Sequence, residues 1–520
     1  MAGNQTRQSE LIASLMKPEV YPHPVESLEL IETHISWVIL TGAYAYKIKK
    51  SLKLDFLDFS TLRQRQYFCE EELRLNRRLA PQLYIEVVPI CGSEMSPELG
   101  GEGRAIEYAL KMHQFQQSAQ LDRQLEAGLL NENDVRDLAA TIAAYHRDAA
   151  VLKFAGEEDA VRQIRAPQLD NFPPINSVTD LRTARHIEAW TERSLNELEQ
   201  TLVQRHKQGF VRECHGDLHL KNLVRLPSGI VAFDCVEFNA TLRNIDVISD
   251  LAFLAMDLVA YARQDLAAVL VNRYLECTGD YSGMSVFGLY FVYHCMIRAK
   301  VAAVRYGEES DAVARDHDSA QLKHYLGVAI RWIRRPQPIA IGMHGFSGSG
   351  KTWLSALLMS ELPAIRVRSD IERKRQLALD ETASTRSGPG NGAYTTHART
   401  EIYEVMMEIV GSLIEARFSV IADASFLRHT HRHLLAALAQ RKGVALVWID
   451  ASASNDELIR RLEYRKALRN DASEAGPEVL EYQYRHADSL TTAELEHTVI
   501  VSTEQPIDPG AIIKSIKSTQ

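Results

Sequence analysis

Residues 213–239, ECHGDLHLKNLVRLPSGIVAFDCVEFN, decide how the first half of this chain is read. Asp217 and Asn222 stand five apart, with His215 and Gly216 directly in front of the acid. A carboxylate that takes a proton from a hydroxyl must lie within hydrogen-bond reach of the attacking oxygen, and a side-chain amide one short loop further on can ligate a hard cation. Two short apolar runs follow, residues 223–226 and 229–233, joined by Pro227-Ser228-Gly229. That composition predicts a hairpin. Asp234 closes the second run, where its carboxylate can reach the same cation from the other side, with Glu237 as a further oxygen donor.

The series His215-Gly216-Asp217-Leu218-His219-Leu220-Lys221-Asn222, followed by Phe233-Asp234-Cys235-Val236-Glu237, resembles the aminoglycoside phosphotransferase-like branch of the protein-kinase-like superfamily. That branch carries Gly where protein kinases usually carry Arg, and lacks the Gly of the Asp-Phe-Gly motif. The resemblance implies an α+β, two-lobed, kinase-like fold that uses ATP and Mg²⁺ to phosphorylate a small-molecule hydroxyl. It implies Asp217 as the catalytic base and Asn222 and Asp234 as metal ligands. The branch also phosphorylates sugars, choline and other metabolites, so the acceptor stays open.

Upstream, residues 33–40 and 43–50 are strand-like runs around Thr41-Gly42 and predict a hairpin. In a kinase-like fold this is where a loop covers the nucleotide phosphates and the next strand brings them a lysine. Ala45-Tyr46-Lys47 resembles the end of the kinase V-A-I-K strand, which favours Lys47 over Lys49 although a period of two places both on one face. The glycine-rich loop is reduced to Gly42, a departure from the protein-kinase pattern. Residues 61–79 form a charged helix whose Glu72, with Glu71 next, is the candidate ion-pair partner for Lys47. Residues 83–91 and 105–112 predict two strands around a Gly-rich turn, residues 119–151 and 180–208 predict helices, and the Pro- and charge-rich residues 156–174 predict a loop. Downstream, Asp246 and Asp250 are candidate anchors of the catalytic loop. Helical periodicity then runs to about Trp332, and residues 286–304, interrupted by His294, Arg298 and Lys300, read as a buried helix.

A second architecture begins after the polar break Arg334-Arg335-Pro336-Gln337-Pro338. Residues 339–343 predict a strand. Gly345-Phe346-Ser347-Gly348-Ser349-Gly350-Lys351-Thr352 then matches G-x-x-x-x-G-K-[ST] in full, and residues 353–362 predict a helix. In such a loop the backbone N–H groups turn inward to cradle phosphates, Lys351 reaches the outer phosphates and Thr352 can ligate Mg²⁺. Residues 365–370 predict a strand ending in Asp370, and residues 418–422 another ending in Asp423, a Walker-B-like or substrate-side carboxylate. Ala424-Ser425 follows it in place of a glutamate, which favours phosphoryl transfer over hydrolysis-driven work. Residues 444–449 predict a fourth strand, with Asp450 at its exit. Residues 458–469 form an arginine-rich helix before a loop at 470–477, and Arg461 and Arg465 are candidate lid residues that stabilise transferred charge. Together these features resemble P-loop small-molecule and polynucleotide kinases, including the zeta-toxin-like and gluconate-kinase-like groups. The resemblance implies an α/β P-loop fold with a parallel sheet, and Asp370 as the group that orients or deprotonates the acceptor.

The chain has 520 residues, 46 % hydrophobic and 24 % charged, in the range of ordinary globular protein. A net charge of −9 disfavours a general nucleic-acid binder. The six cysteines show no C-x-x-C pair and no regular spacing, which fits a reducing cytosol without a zinc site or disulfide framework. No signal sequence and no uninterrupted run of about 18 apolar residues is seen, so no membrane association is expected. The reading is a bifunctional chain, 1–335 kinase-like and 336–520 P-loop, with ATP, Mg²⁺ and an unidentified small-molecule acceptor. This order also resembles bacterial two-domain proteins that place an ATP-binding domain after an aminoglycoside phosphotransferase-like one. Two alternatives stand beside it: one domain senses nucleotide without catalysing transfer, or the acceptor is a nucleic-acid end or a protein side chain.

Overall fold

The computed structural model describes residues 2–54, 57–178, 181–380, 396–468 and 476–519. The chain packs as two compact units, Met1–Ile164 with Leu202–Asp257, and Arg165–Thr201 with Leu258–Gln520.

The first unit is built on a six-stranded sheet of β1 (Glu29–Glu32), β2 (Ser36–Leu40), β3 (Tyr44–Lys49), β4 (Tyr84–Ser93), β5 (Ser96–Leu99) and β6 (Glu107–His113). Its order is β1-β2-β3-β6-β4-β5, antiparallel throughout. Strand β5 lies where the sequence suggested only a turn. As an edge strand it tolerates Pro97, which has no N–H to donate to the ladder. Alternation along β3 puts Tyr46 and Ile48 into a core with Leu11, Ile12 and Leu15 of helix α1 (Ala2–Leu15). It therefore turns Lys47 and Lys49 to the opposite face, where they meet helix α2 (Leu62–Asn76). Thr61 and Gln64 start α2 with a capping box.

The stretch at 213–239 begins on β7 (Val211–Glu213), which pairs with β10 (Asn244–Asp246), and continues through the hairpin β8 (Leu223–Leu226) and β9 (Gly229–Ala232). Helix α3 (Val247–Ala260) follows directly. Residues 156–174 are not a loop, as their prolines suggested, but largely two helices, Glu157–Leu169 and Phe172–Asn176. Glu157, Glu158 and Asp159 complement the dipole at the first N-terminus, and Pro173 and Pro174 sit in the first turn of the second, where no N–H is needed.

The second unit contains α4 (Gln264–Thr278), α5 (Met284–Glu308) and α6 (Ala312–Ile333). It also holds a parallel sheet of β11 (Ile339–His344), β12 (Ile365–Arg368), β13 (Val420–Asp423), β14 (Ala445–Ser452) and β15 (Thr498–Ser502). The order is β12-β13-β11-β14-β15, which puts the strand that feeds the P-loop in the centre. Residues 281–308 are long and apolar enough to cross a membrane by length and composition, yet 67 % of their most apolar window is buried in protein. On this helix Phe291 stacks on Trp332 of α6 at 4.2 Å.

Three local expectations are corrected here. Asp370 does not end a strand; β12 stops at Arg368, and Asp370 opens helix α8 (Ser369–Gln376), after α7 (Lys351–Glu361) of the P-loop. Asp450 lies inside β14 rather than at its exit, accepting from His344 Nδ1 at 2.7 Å. The fifth strand, β15, was not foreseen, because a run of five residues next to a short helix carries little periodicity of its own.

Candidate active sites

In the first unit, Lys47 Nζ lies 2.7 Å from Glu72 Oε1 and 2.6 Å from Asp234 Oδ1. Glu72 is fully buried, and its second oxygen takes Lys49 Nζ at 2.7 Å. Lys49 also pairs with buried Glu237. One helix carboxylate thus bridges two strand lysines, and each lysine reaches on to a different acid of the 234–237 turn. Burial works against the charge on Lys47, but Asp234, Glu72 and Glu237 outweigh it and raise the ammonium well above the ordinary lysine range. Burial likewise works against ionised Glu72, and the two ammonium groups still hold it down at about 2. Glu237 is shifted upward by burial. The structure places Glu237 on Lys49, whereas Asp234 keeps a side chain 42 % exposed.

The 234 turn is held from the sheet and from α2. Asp234 N donates to Tyr84 Oη at 3.1 Å, Cys235 N donates to Asn76 Oδ1 at 2.9 Å, and Asp234 itself takes a left-handed φ of 63°. Glu71, the alternative to Glu72, instead accepts from Arg74 and Arg243.

Asp217 and Asn222 are brought together as their spacing suggested. Asn222 Nδ2 donates to Asp217 O at 3.0 Å and to Asp217 Oδ2 at 2.9 Å. His219 Nε2 lies 3.4 Å from the same carboxylate oxygen. His215 is fully buried, donating from Nε2 to Phe233 O (3.0 Å) and accepting the Asp217 N–H on Nδ1 (3.3 Å), and burial lowers its pKa. It is a brace between the loop and the hairpin. Asp250 of α3 accepts the N–H groups of His215 (2.8 Å) and Gly216 (2.9 Å), and Asp257 accepts that of Leu220 (2.9 Å). Of the two candidate anchors, Asp246 binds Arg205 instead. Gly216 has a φ of +85°, and a Cβ there would sit 2.6 Å from Leu242 O. The turn at Gly42 is short, and its N–H donates to Gln114 Oε1 at 2.8 Å.

In the second unit, Gly345 takes a φ of +133° where a Cβ would meet Ala451 O at 2.4 Å, so the P-loop turns tightly over β14. Lys351 Nζ folds back onto Phe346 O at 2.7 Å. Burial lowers its pKa to about 8, with Asp423 opposing the shift. Ser355 Oγ, one turn along α7 from Thr352, donates to Asp423 Oδ2 at 2.8 Å. Asp370 pairs with Arg373 at 2.6 Å. Helix α9 (Asn455–Leu468) carries both arginines proposed for a lid. Arg461 is engaged by Glu457, Thr503 and Gly348 O, at 2.6, 2.8 and 3.3 Å. Arg465 lines a cavity of about 320 Å³ together with Lys351, Thr352, Asp370 and Asp423. Arg469 and residues 470–475 of the expected loop lie outside the described residues.

Sequence reasoning ranked Lys49 behind Lys47 and missed Asn76 and Tyr84 around the first site. It also missed Ser355, Arg366 and Gln483 around the second, where Gln483 accepts the Ser347 N–H at 2.8 Å. Only Arg366 left a signal, as a charged residue between two apolar ones in a predicted strand.

Residues 61–287 match the model of the phosphotransferase enzyme family, and residues 341–490 match the model of an AAA domain. Two relatives, uncharacterized proteins of Mycobacterium tuberculosis and Mycobacterium bovis, are each 26 % identical over 461 residues, covering 87 % of this chain and 89 % of the relative. Among solved structures, a choline kinase from Cryptosporidium parvum is 12 % identical, covering 62 % of this chain and 96 % of its own, with a TM-score of 0.38. An ethanolamine kinase from Plasmodium vivax is 12 % identical, covering 59 % and 84 %, with a TM-score of 0.35. A gluconokinase from Sinorhizobium meliloti is 19 % identical, covering 36 % and 93 %, with a TM-score of 0.25. The matched regions support phosphoryl transfer in general. The chain carries, in order, a kinase-like region of the phosphotransferase enzyme family and a P-loop region of the AAA-domain type.

Proposed function

We propose that residues 1–335 form an ATP- and Mg²⁺-dependent phosphotransferase acting on a small-molecule hydroxyl, and that residues 336–520 form a second P-loop kinase site. The observation that carries this reading is Lys47 held between Glu72 and Asp234, beside an Asp217–Asn222 pair. Lys47 is thereby fixed, charged and aimed for nucleotide phosphate. Asp217 takes the proton of the acceptor hydroxyl as its oxygen attacks the γ-phosphorus and the bond to the departing ADP oxygen breaks. The donor set fits a hard cation: Asn222 spends its amide N–H on Asp217 and keeps its carbonyl oxygen, and Asp234 offers an exposed carboxylate. When bound, Mg²⁺ neutralises charge on the β- and γ-phosphates.

At the second site the amides of Gly348 and Gly350, with Lys351, hold phosphate, while those of Gly345, Ser347 and Ser349 are spent on Ser425 O, Gln483 Oε1 and Phe346 O; Thr352 and Asp423 suit a cation, Asp370 the acceptor, and Arg461 and Arg465 the transferred charge. The six cysteines show no C-x-x-C pair and no regular spacing, which suits a reducing cytosol.

Nucleotide sensing by the first site is a second reading, favoured by the short turn whose Gly42 N–H is engaged by Gln114. ATP turnover by the intact chain, by Asp217→Asn and by Lys351→Ala, against aminoglycosides, sugars and amino alcohols, separates the two. Phosphorylation lost in Asp217→Asn alone assigns the chemistry to the first site. Mg-ATP binding at both sites without turnover of any acceptor supports sensing.

A further inference from the structure

Strand β12 reads Ile365-Arg366-Val367-Arg368, and a guanidinium inside a parallel sheet is costly to bury without partners. The Arg366 side chain is only 3 % exposed. Its guanidinium pairs with Glu276 Oε1 at 2.7 Å, donates to Thr352 O at 3.2 Å and reaches Ser355 Oγ at 3.4 Å. Ser355 passes the contact on to Asp423. The backbone of the same strand is held as well: Arg366 N donates to Asn272 Oδ1 at 2.6 Å, and Asn272 Nδ2 donates to Ala364 O at 2.9 Å. On the helix that carries Asp370, Arg375 donates to Glu276 O at 2.6 Å and pairs with Glu372, which accepts from Tyr281 Oη at 3.1 Å. Asn272, Glu276 and Tyr281 belong to α4 and the turn after it, inside the region matched to the phosphotransferase family. The partners just named lie in the P-loop region, while Asn272 and Glu276 also touch Ala268 O and Arg273 of their own helix. Both sets share one compact unit.

We infer that the C-terminal half of α4 is a built-in positioning element of the P-loop site, with Glu276 as its positioning residue. Glu276 fixes Arg366; Arg366 fixes the carbonyl of Thr352 and the hydroxyl of Ser355; these in turn set Thr352 and Asp423. The inference rests on the reading of Thr352 and Asp423 as the groups that hold Mg-nucleotide. With Glu276 neutralised, Arg366 keeps a buried charge whose carboxylate partner is gone, and its fork turns away from α7. The groups displaced are those on the metal side, so metal-dependent binding suffers first.

The test uses the full chain carrying Asp234→Ala, so that Mg-nucleotide is read at the P-loop, with calorimetric titrations of Mg-ATP and of metal-free ADP. Glu276→Gln is expected to weaken Mg-ATP about tenfold and metal-free ADP less than about twofold, since groups behind a metal ligand commonly change metal affinity by about 10–100-fold. A merely structural role lowers both affinities together with the melting temperature, and that result overturns the inference, as does an unchanged Mg-ATP affinity. Should Glu276→Gln fail to fold, Glu276→Gln with Arg366→Met removes the stranded charge and must show the same metal-selective loss; unchanged Mg-ATP affinity there overturns the inference too. If the parent binds Mg-ATP no better than its Lys351→Ala derivative, the reading of the site itself falls instead.

Discussion

Glu72 is the residue on which the first site turns, because a single carboxylate satisfies two buried ammonium groups. Removing its charge in Glu72→Gln leaves Lys47 and Lys49 with less counter-charge in a dry setting. A loss of about 3–5 kcal/mol in stability is expected. Denaturant unfolding with an unchanged m-value checks it. Its pH signature follows from the depressed pKa: the stabilisation is fully present above the ordinary carboxylate value of 4.5 and is lost as pH falls towards about 2. Lys351 behaves in the opposite sense. Its folded pKa of about 8 lies below the ordinary 10.5, so above about 8 the free site loses its positive charge, while bound triphosphate favours keeping it. Nucleotide binding at the P-loop is expected to take up a proton between about 8 and 10.5, and affinity to weaken as pH rises through that window. Calorimetry in buffers of different ionisation enthalpy measures the uptake; no proton exchange there would show that Lys351 stays charged throughout.

At the scale of elements, the loop at 215–222 is held by a glycine of its own and by two helix acids from outside its length. Asp250 and Asp257 reach it from α3, and Gly216 passes close under Leu242 O. Gly216→Ala combines a left-handed φ with a 2.6 Å approach. It is expected to cost roughly 1–3 kcal/mol or more. Thermal unfolding reads that cost, and a melting temperature equal to the parent's would mean the loop shifts freely. The hairpin of β8 and β9, the helix at residues 62–76 and the strand–loop–helix of the P-loop were all legible, since each has a local signal in period, cap or turn residue. The helices at 157–169 and 172–176 were not legible as helices. Composition recorded their prolines, but Pro173 and Pro174 fall in a first turn where no N–H is needed, and Pro167 is carried inside the longer helix.

At the scale of the whole molecule, the motif boundary near residue 335 and the packing follow different lines. Asn272 and Glu276 lie before it, and the strand they hold lies after it. A fragment of residues 336–520 is therefore expected to melt below the intact chain and to lose amide protection along β12, with hydrogen exchange at Arg366 N–H as the measurement. Full protection there in the fragment would show that α4 is dispensable. The amino-acid sequence by itself carried the two candidate sites, because His-Gly-Asp-x-x-x-x-Asn, Phe-Asp and G-x-x-x-x-G-K-[ST] lie in short loops whose geometry is set by spacing along the chain. Partners far apart in sequence were decided by the tertiary structure alone. A period of two could not part Lys47 from Lys49, nor could spacing choose Asp250 over Asp246. Nothing local ties Glu276 to Arg366, 90 residues away. Such pairs exist only once separate elements have packed, and packing is a property of the assembled faces that no single stretch contains.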